Sequence, residues 1–520
     1  MQKQSFVRGT FILTAAAFVT RLLGFANGIF LARLLGAEGI GLLMMAHPLL
    51  PLTITLTELG LPVAISKLVA EADAQGNARK VKRILVVSLS VTGTLSVALT
   101  LVSLIGSKAI AALFLPDPRA YPAMLAITPI APIIAVSAVL KGYFRGKQHM
   151  KSIAFSDVLE NTVQIVGILA LVQLLLPYGL EYAAAGAMVC SVFGEGAGLL
   201  YLLARYRRSR ERGDGGDSIA THLRNGKRTL AELLHMGLPT TGHGFVQSIY
   251  SAFQPMLVLK SLALAGVGTA VATKQFGMLA GYAFPLLFFP SFITHSLSTA
   301  LIPAISEANV HKNGMVIHQR MDQAMRIALY VGAPSTVILY VWATPLTTLL
   351  YHSPEAGKLL QLMAPIFFLH YFEAPLHAIL LGLGKASTTM WNFIVMTVFK
   401  AAAIYFLGMQ FGITGVVLGI NFGIVFITLL NFLSISSAIG FYINLRRIVK
   451  VAIGMALMAA SGQYAHALLL REGFPPAGSL VVSVLASLLV FLLALIVTGA
   501  VDGRAALNVP SALRTLSLRK

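Results

Sequence analysis

Residues 412–439 read GITGVVLGINFGIVFITLLNFLSISSAI, 28 positions without a single Asp, Glu, Lys, Arg or His. Coiled as a helix, this run is longer than the roughly 30 Å of hydrocarbon that a bilayer presents. Only a helix or a closed barrel satisfies its own backbone polar groups there, so the run predicts a membrane-spanning helix. Working outward with the same ruler predicts fourteen spans in all. The others lie near 8–35, 41–69, 84–106, 121–141, 153–176, 182–204, 231–259, 270–303, 325–350, 359–381, 388–409, 448–470 and 477–499. Several carry Pro or Gly, such as Pro48, Pro51 and Pro62 in the second, and kinks are expected there.

Composition agrees with that reading. Of 520 residues, 57% are hydrophobic and 11% charged, with a mean hydropathy of +0.81. Soluble domains carry about 25% charged residues, so a soluble enzyme, a disordered chain and a fibrous repeat are excluded. The expected fold class is an all-α polytopic membrane protein. The first apolar run, Phe11 to Thr20, imitates a signal peptide but continues to Leu35 and reads as a span. Cys190, the single cysteine, lies in an apolar stretch and reads as an inert core thiol.

Lys and Arg total 39 against 19 Asp and Glu, a net charge of +20. These basic residues collect in alternate connections. Arg79, Lys80, Lys82 and Arg83 follow span two; Lys141, Arg145, Lys147 and Lys151 follow span four. A cluster from Arg205 to Arg228 follows span six, and Arg446, Arg447 and Lys450 precede span thirteen. Cytoplasmic flanks attract Lys and Arg, so these connections and both termini are expected in the cytoplasm. Orientation and attraction to anionic membrane lipids account for the charge, and no nucleic-acid partner is expected.

The stretch 205–229 is the long polar segment of the chain. It predicts a six-helix lobe at 1–204, a basic linker at 205–229, a second six-helix lobe at 230–440, and two added helices with a basic tail at 441–520. The lobes carry matching signals. Leu61-Pro62-Val63-Ala64-Ile65-Ser66 corresponds to Ile302-Pro303-Ala304-Ile305-Ser306, and Gly146-Lys147 to Gly384-Lys385. The offsets are 241 and 238 residues. Parallel repeats of this kind suit alternating access. Gly-Lys at these places lacks the flanking residues of a phosphate loop, so no nucleotide cofactor is expected.

Charged groups inside spans are expensive, and each is a functional candidate. Arg21 sits mid-span in helix one, with Gly24, Asn27 and Gly28 nearby. Its planar guanidinium suits a phosphate; an internal pair with Glu58 is the alternative. Lys274 and Lys400 are further candidates for an anionic ligand. Lys274 also fits an interfacial anchor, and Lys400 also fits a pair with Glu373. Glu58, Glu160, Glu195 and Glu373 either couple an ion or neutralise buried bases, and Asp157 lies one turn before Glu160. His370 and His377 are seven residues apart and read as polar core groups, not metal ligands. No arrangement supports catalysis, so no enzyme is expected.

Thr20-Arg21-Leu22-Leu23-Gly24-Phe25, Leu31-Ala32-Arg33-Leu34-Leu35-Gly36 and Leu59-Gly60-Leu61-Pro62-Val63-Ala64-Ile65-Ser66-Lys67 resemble the stage V sporulation protein B family. So does Phe289-Pro290-Ser291-Phe292-Ile293-Thr294-His295-Ser296-Leu297-Ser298. The resemblance implies the polysaccharide-transporter branch of the multidrug/oligosaccharidyl-lipid/polysaccharide (MOP) flippases. It also implies two pseudosymmetric six-helix bundles in a bacterial plasma membrane. The implied substrate is an undecaprenyl-diphosphate-linked saccharide for wall or spore-cortex synthesis, with wall-synthesis enzymes as partners. Arg21 carries over as a diphosphate contact, whereas Asn27 stands where related lipid II flippases have another arginine. A multidrug cation antiporter of the same superfamily and a non-transporting scaffold for wall synthesis are the alternatives.

Overall fold

A computed structural model describes residues 6–209, 226–440 and 444–500. Most of the predicted linker at 205–229 and the tail beyond Ala500 lie outside these residues. Among the described residues every regular element is helical.

The helices fall into two compact units. Unit 1 contains α1 (Phe6–Ala46), α2 (Leu49–Glu58), α3 (Leu61–Ala74), α4 (Ala78–Ile105), α5 (Ser107–Phe114), α6 (Tyr121–Ile127) and α7 (Ile130–Gly146). It continues with α8 (Met150–Leu175), α9 (Leu180–Ser209), α10 (Lys227–Leu264) and α11 (Thr269–Gly277). Unit 2 holds α12 (Phe284–Phe288), α13 (Ser291–Val310), α14 (Gly314–Val341), α15 (Ala343–Tyr351), α16 (Pro354–Phe367) and α17 (His370–Gly382). It also holds most of α18 (Ala386–Ile439), then α19 (Leu445–Arg471) and α20 (Pro476–Val497).

Among the described residues, ten helical stretches are long and apolar enough to cross a membrane, or eleven if one bent pair counts as a single span. The expected count of fourteen is therefore not reached by this measure. Part of the difference is covalent continuity. α18 has 54 residues, about 80 Å of helix, far more than one crossing needs. It breaks at Gly412, with φ 61° and ψ −141°, and α1 breaks likewise at Gly36, with φ 65°. Side chains seldom tolerate that backbone region, so glycine alone reverses the path there without strain. Both breaks fall where the sequence separates one span from the next.

The inside-out character of the surface is plainest in α20. Ser479, Ser483 and Ser487 are fully buried, whereas Leu489 is 62% and Val497 85% exposed. In water that pattern would be reversed. In lipid the apolar face is the solvated one, and small residues let helices pack closely. α19 packs along α20.

The core of unit 1 joins Leu61, Ile65, Leu68 and Val69 of α3 to Ile84 of α4, Leu140 and Phe144 of α7, and Leu233 of α10. Helices α10 and α11 were expected in the second lobe. They pack instead within unit 1, α10 on α2 and α3, and α11 on α1. The boundary of the compact units thus falls after Gly281 and not within 205–229, because contact follows apolar burial and not repeat membership. Unit 2 has one core around Leu301, Ile305, Met321, Ile379 and Ile435, and another around Leu329, Ala333, Met458 and Phe491.

Candidate functional site: an intramembrane charge cluster

Helices α7 and α8 form an antiparallel hairpin with a reversal at Lys147–His149, where Gln148 has φ 59°. Residues at similar distances from that turn face one another, which sets Lys141 opposite Asp157. Lys141 Nζ lies 2.9 Å from Asp157 Oδ1 and 3.5 Å from Glu160 Oε2. Its side chain is 24% exposed. From the sequence Lys141 counted as one of the loop residues that mark the cytoplasmic side. The structure shows it one turn inside α7, paired to two carboxylates.

Glu195 of α9 joins the cluster. It is 7% exposed, and its charge acts on both Lys141 and Glu160. The approach of α9 to α8 depends on Gly194, where a Cβ would meet the Glu160 carbonyl oxygen at 2.7 Å. Ser156 Oγ donates to the Gly198 carbonyl at 3.1 Å across the same contact. Glu58, at the end of α2, has Lys141 and Glu195 as its charged neighbours. Lys141 is thus a base that acts on Glu58. Asp157, Glu160, Asn161 and Gln164 recur at helical spacing along α8, and Gln164 Nε2 donates to Ser191 Oγ at 2.7 Å. One lysine among four carboxylates has a formal charge of −3 when all are ionised. Such an excess of negative charge in low dielectric attracts a cation.

Unit 2 has its own cluster. His370 Nδ1 lies 2.7 Å from Glu373 Oε2, with the ring packed against Phe288 and Phe367. Lys400 and His377 act electrostatically on Glu373. The Lys400 stem lies over Gly423, whose hydrogen leaves it room.

Arg21 is exposed on α1 and Asn27 is buried, at 9% exposure. Six residues turn a helix by about 240°, so the two point to different faces. The residues that share Arg21's face are Gly24 and Gly28, and a Cβ at either would meet nothing within 4 Å. Asn27 Oδ1 is buried without a hydrogen-bond partner. Lys274 is exposed on α11.

A further polar network in unit 1 left no sequence signal. Asp117, 2% exposed, accepts from Arg119 Nη2 at 2.8 Å, Arg119 Nε at 3.1 Å and Thr273 Oγ1 at 2.8 Å. Arg119 Nη1 also donates to Glu38 at 2.7 Å. Burial by itself would raise the Asp117 carboxyl, but the hydrogen bonds from Arg119 and Thr273 hold it below the usual range. The network joins α1 just past its break at Gly36, the connection after α5, and α11. There α1 and α11 touch through glycines: a Cβ at Gly277 would strike the Ala37 carbonyl, and one at Gly41 the Thr273 carbonyl.

Comparisons with known proteins give the family. Residues 6–309 match the polysaccharide biosynthesis protein family, and residues 261–406 match the MatE family. The chain is 45% identical to stage V sporulation protein B of Bacillus subtilis, over 89% of each protein. It is 23% identical to the lipid II flippase MurJ of Bacillus subtilis, over 87% of this chain and 86% of that one. A solved structure of a lipid II flippase MurJ in an inward closed conformation superposes with a TM-score of 0.71 at 14% identity. It covers 94% of this chain and 98% of that one. The chain therefore belongs to the polysaccharide biosynthesis protein family that includes stage V sporulation protein B, a multi-pass membrane protein of the MOP transporter superfamily.

Proposed function

We propose that this protein is a flippase that carries an undecaprenyl-diphosphate-linked saccharide across the bacterial plasma membrane for wall or spore-cortex synthesis, acting as a transporter and not as an enzyme. The observation that carries this reading is the open face of α1, where Arg21 stands beside two glycines with empty space above them. A guanidinium on a lipid-depth helix binds a diphosphate with two parallel hydrogen bonds, and the neighbouring glycines leave the head group room. Asn27 serves the same helix from its buried face. Lys274 and Lys400 are secondary anion contacts. The excess of Lys and Arg in alternate connections supports a cytoplasmic loading side for the saccharide at those connections.

The carboxylates around Lys141, Glu58, Glu160 and Glu195, and Glu373 in unit 2, take the ion-coupling role or balance buried basic groups. Replacement of Arg21 by Ala should abolish the outward appearance of a labelled prenyl-diphosphate saccharide in reconstituted vesicles, with normal protein abundance. Arg21→Lys should restore only part, because an ammonium lacks the planar fork. Unchanged flipping in Arg21→Ala would refute the assignment. The acidic cluster gives the antiporter reading its own observation. Drug efflux that is lost in Glu160→Gln while saccharide flipping persists would favour it.

A further inference from the structure

Within unit 2, helices α14, α17, the second part of α18 and α19 surround a cavity of about 410 Å³. That volume falls among those of small-molecule sites, roughly 300–1,000 Å³. Its wall is apolar, with Met325, Leu329, Phe368, Phe372, Leu376 and Phe432 facing it. Its rim is charged. Arg447 Nη1 donates to Asp322 Oδ1 at 2.6 Å, and Arg326 Nε lies 3.4 Å from Asp322 Oδ2. Two guanidiniums thus share one carboxylate, which leaves the rim with one net positive charge. Each guanidinium has five N–H donors, more than Asp322 can accept.

The position of the cavity matters as much as its lining. α14 and α19 begin, and α17 and α18 end, at the end of unit 2 whose connections carry the basic residues, the side that those residues mark as cytoplasmic. Arg320, Arg446 and Lys450 lie at the same end. Beside the slot the surface is apolar, with Leu433 and Ile448 exposed, so the cavity adjoins lipid. A soluble anion has no use for six apolar walls, and a neutral apolar molecule has none for paired arginines. A molecule with a phosphate at one end and a hydrocarbon chain at the other uses both.

We propose that this cavity binds an anionic phospholipid of the cytoplasmic leaflet, with one acyl chain in the apolar slot and its phosphate at Arg326 and Arg447. The site is separate from Arg21 and does not depend on the identity of the cargo. Bound there, the lipid ties α14 and α17 to the added helix α19 and makes the stability of unit 2 depend on the charge of the surrounding leaflet.

The test uses the full chain purified in detergent. Native mass spectrometry should show phosphatidylglycerol retained in preference to phosphatidylcholine with the same acyl chains, and inorganic phosphate should not displace it. Arg326→Gln should weaken phosphatidylglycerol about fivefold and leave phosphatidylcholine unchanged, whereas Met325→Trp, which fills the slot, should remove the preference. Equal retention of the two lipids, displacement by phosphate alone, or full binding by Met325→Trp would each overturn the proposal. A readout independent of variant folding is photolabelling of the unaltered chain by phosphatidylglycerol with a diazirine in its acyl chain. Label on peptides containing Met325 or Phe372 supports the site, and label confined elsewhere refutes it. The chain's own residues 501–520 are the competing occupant. A photoreactive residue at Phe372 that crosslinks to them instead of to lipid would also overturn the proposal.

Discussion

Lys141 holds two carboxylates at 2.9 and 3.5 Å in a site where two more, Glu195 and Glu58, lie within electrostatic reach. Replacement by Met keeps the volume and removes the charge. Exposed ion pairs contribute about 0–1 kcal/mol, and breaking a buried pair costs about 3–5 kcal/mol. The three side chains are between 24% and 36% exposed, which puts this site between those limits. The expected loss for Lys141→Met is about 2 kcal/mol, with most of it due to carboxylates left without a cation. Lys141→Met/Asp157→Asn/Glu160→Gln should recover most of that loss, since neutral replacement of a whole charged group is often harmless. Thermal unfolding of the purified proteins, followed by the reactivity of the buried Cys190 thiol in unit 1, gives the comparison. If Lys141→Met were as stable as the parent, or the triple variant no better than the single one, the cluster would not be a coupled electrostatic unit.

Three further outcomes follow from the geometry. Gly277→Ala and Gly41→Ala should each destabilise unit 1 by about 1–3 kcal/mol through overpacking against α1 or α11, whereas Gly24→Ala and Gly28→Ala, which meet no atom, should be neutral or slightly stabilising. Equal stability across the four in a thermal unfolding series would contradict the close contact of α1 and α11. The lowered carboxyl of Asp117 stabilises the fold fully above its unfolded value of 3.8, and the contribution fades as pH falls through the folded value. Acid unfolding of Asp117→Asn should accordingly be flatter than that of the parent below pH 3.8, with no difference in slope at neutral pH. Gly412→Val should disturb the break in α18, since valine at φ 61° is strained, and lower the yield of folded protein. Full yield would show that the break does not need glycine.

Hydrophobic runs, the +20 excess and the family blocks are all one-dimensional properties, and they determined class, topology signals and family without tertiary information. A bilayer makes this possible: it fixes helix length and penalises charge by depth, so each span declares itself locally. Gly36 and Gly412 also stood at places where the sequence changes from one span to the next. The pairing of charges was a different matter. Glu58 and Glu160 were visible as costly residues, but their partner Lys141 looked like a loop marker because hydropathy does not resolve one turn of helix. Arg21 and Asn27 looked like neighbours until the helical turn separated their faces. The Asp117–Arg119–Glu38–Thr273 network joins residues up to 235 positions apart, from Glu38 to Thr273. Its members meet only after the helices pack. Local chemistry set what each helix is. Which charge faces which was decided by the tertiary fold, since Coulomb and hydrogen-bond energies depend on distances that no sequence spacing encodes.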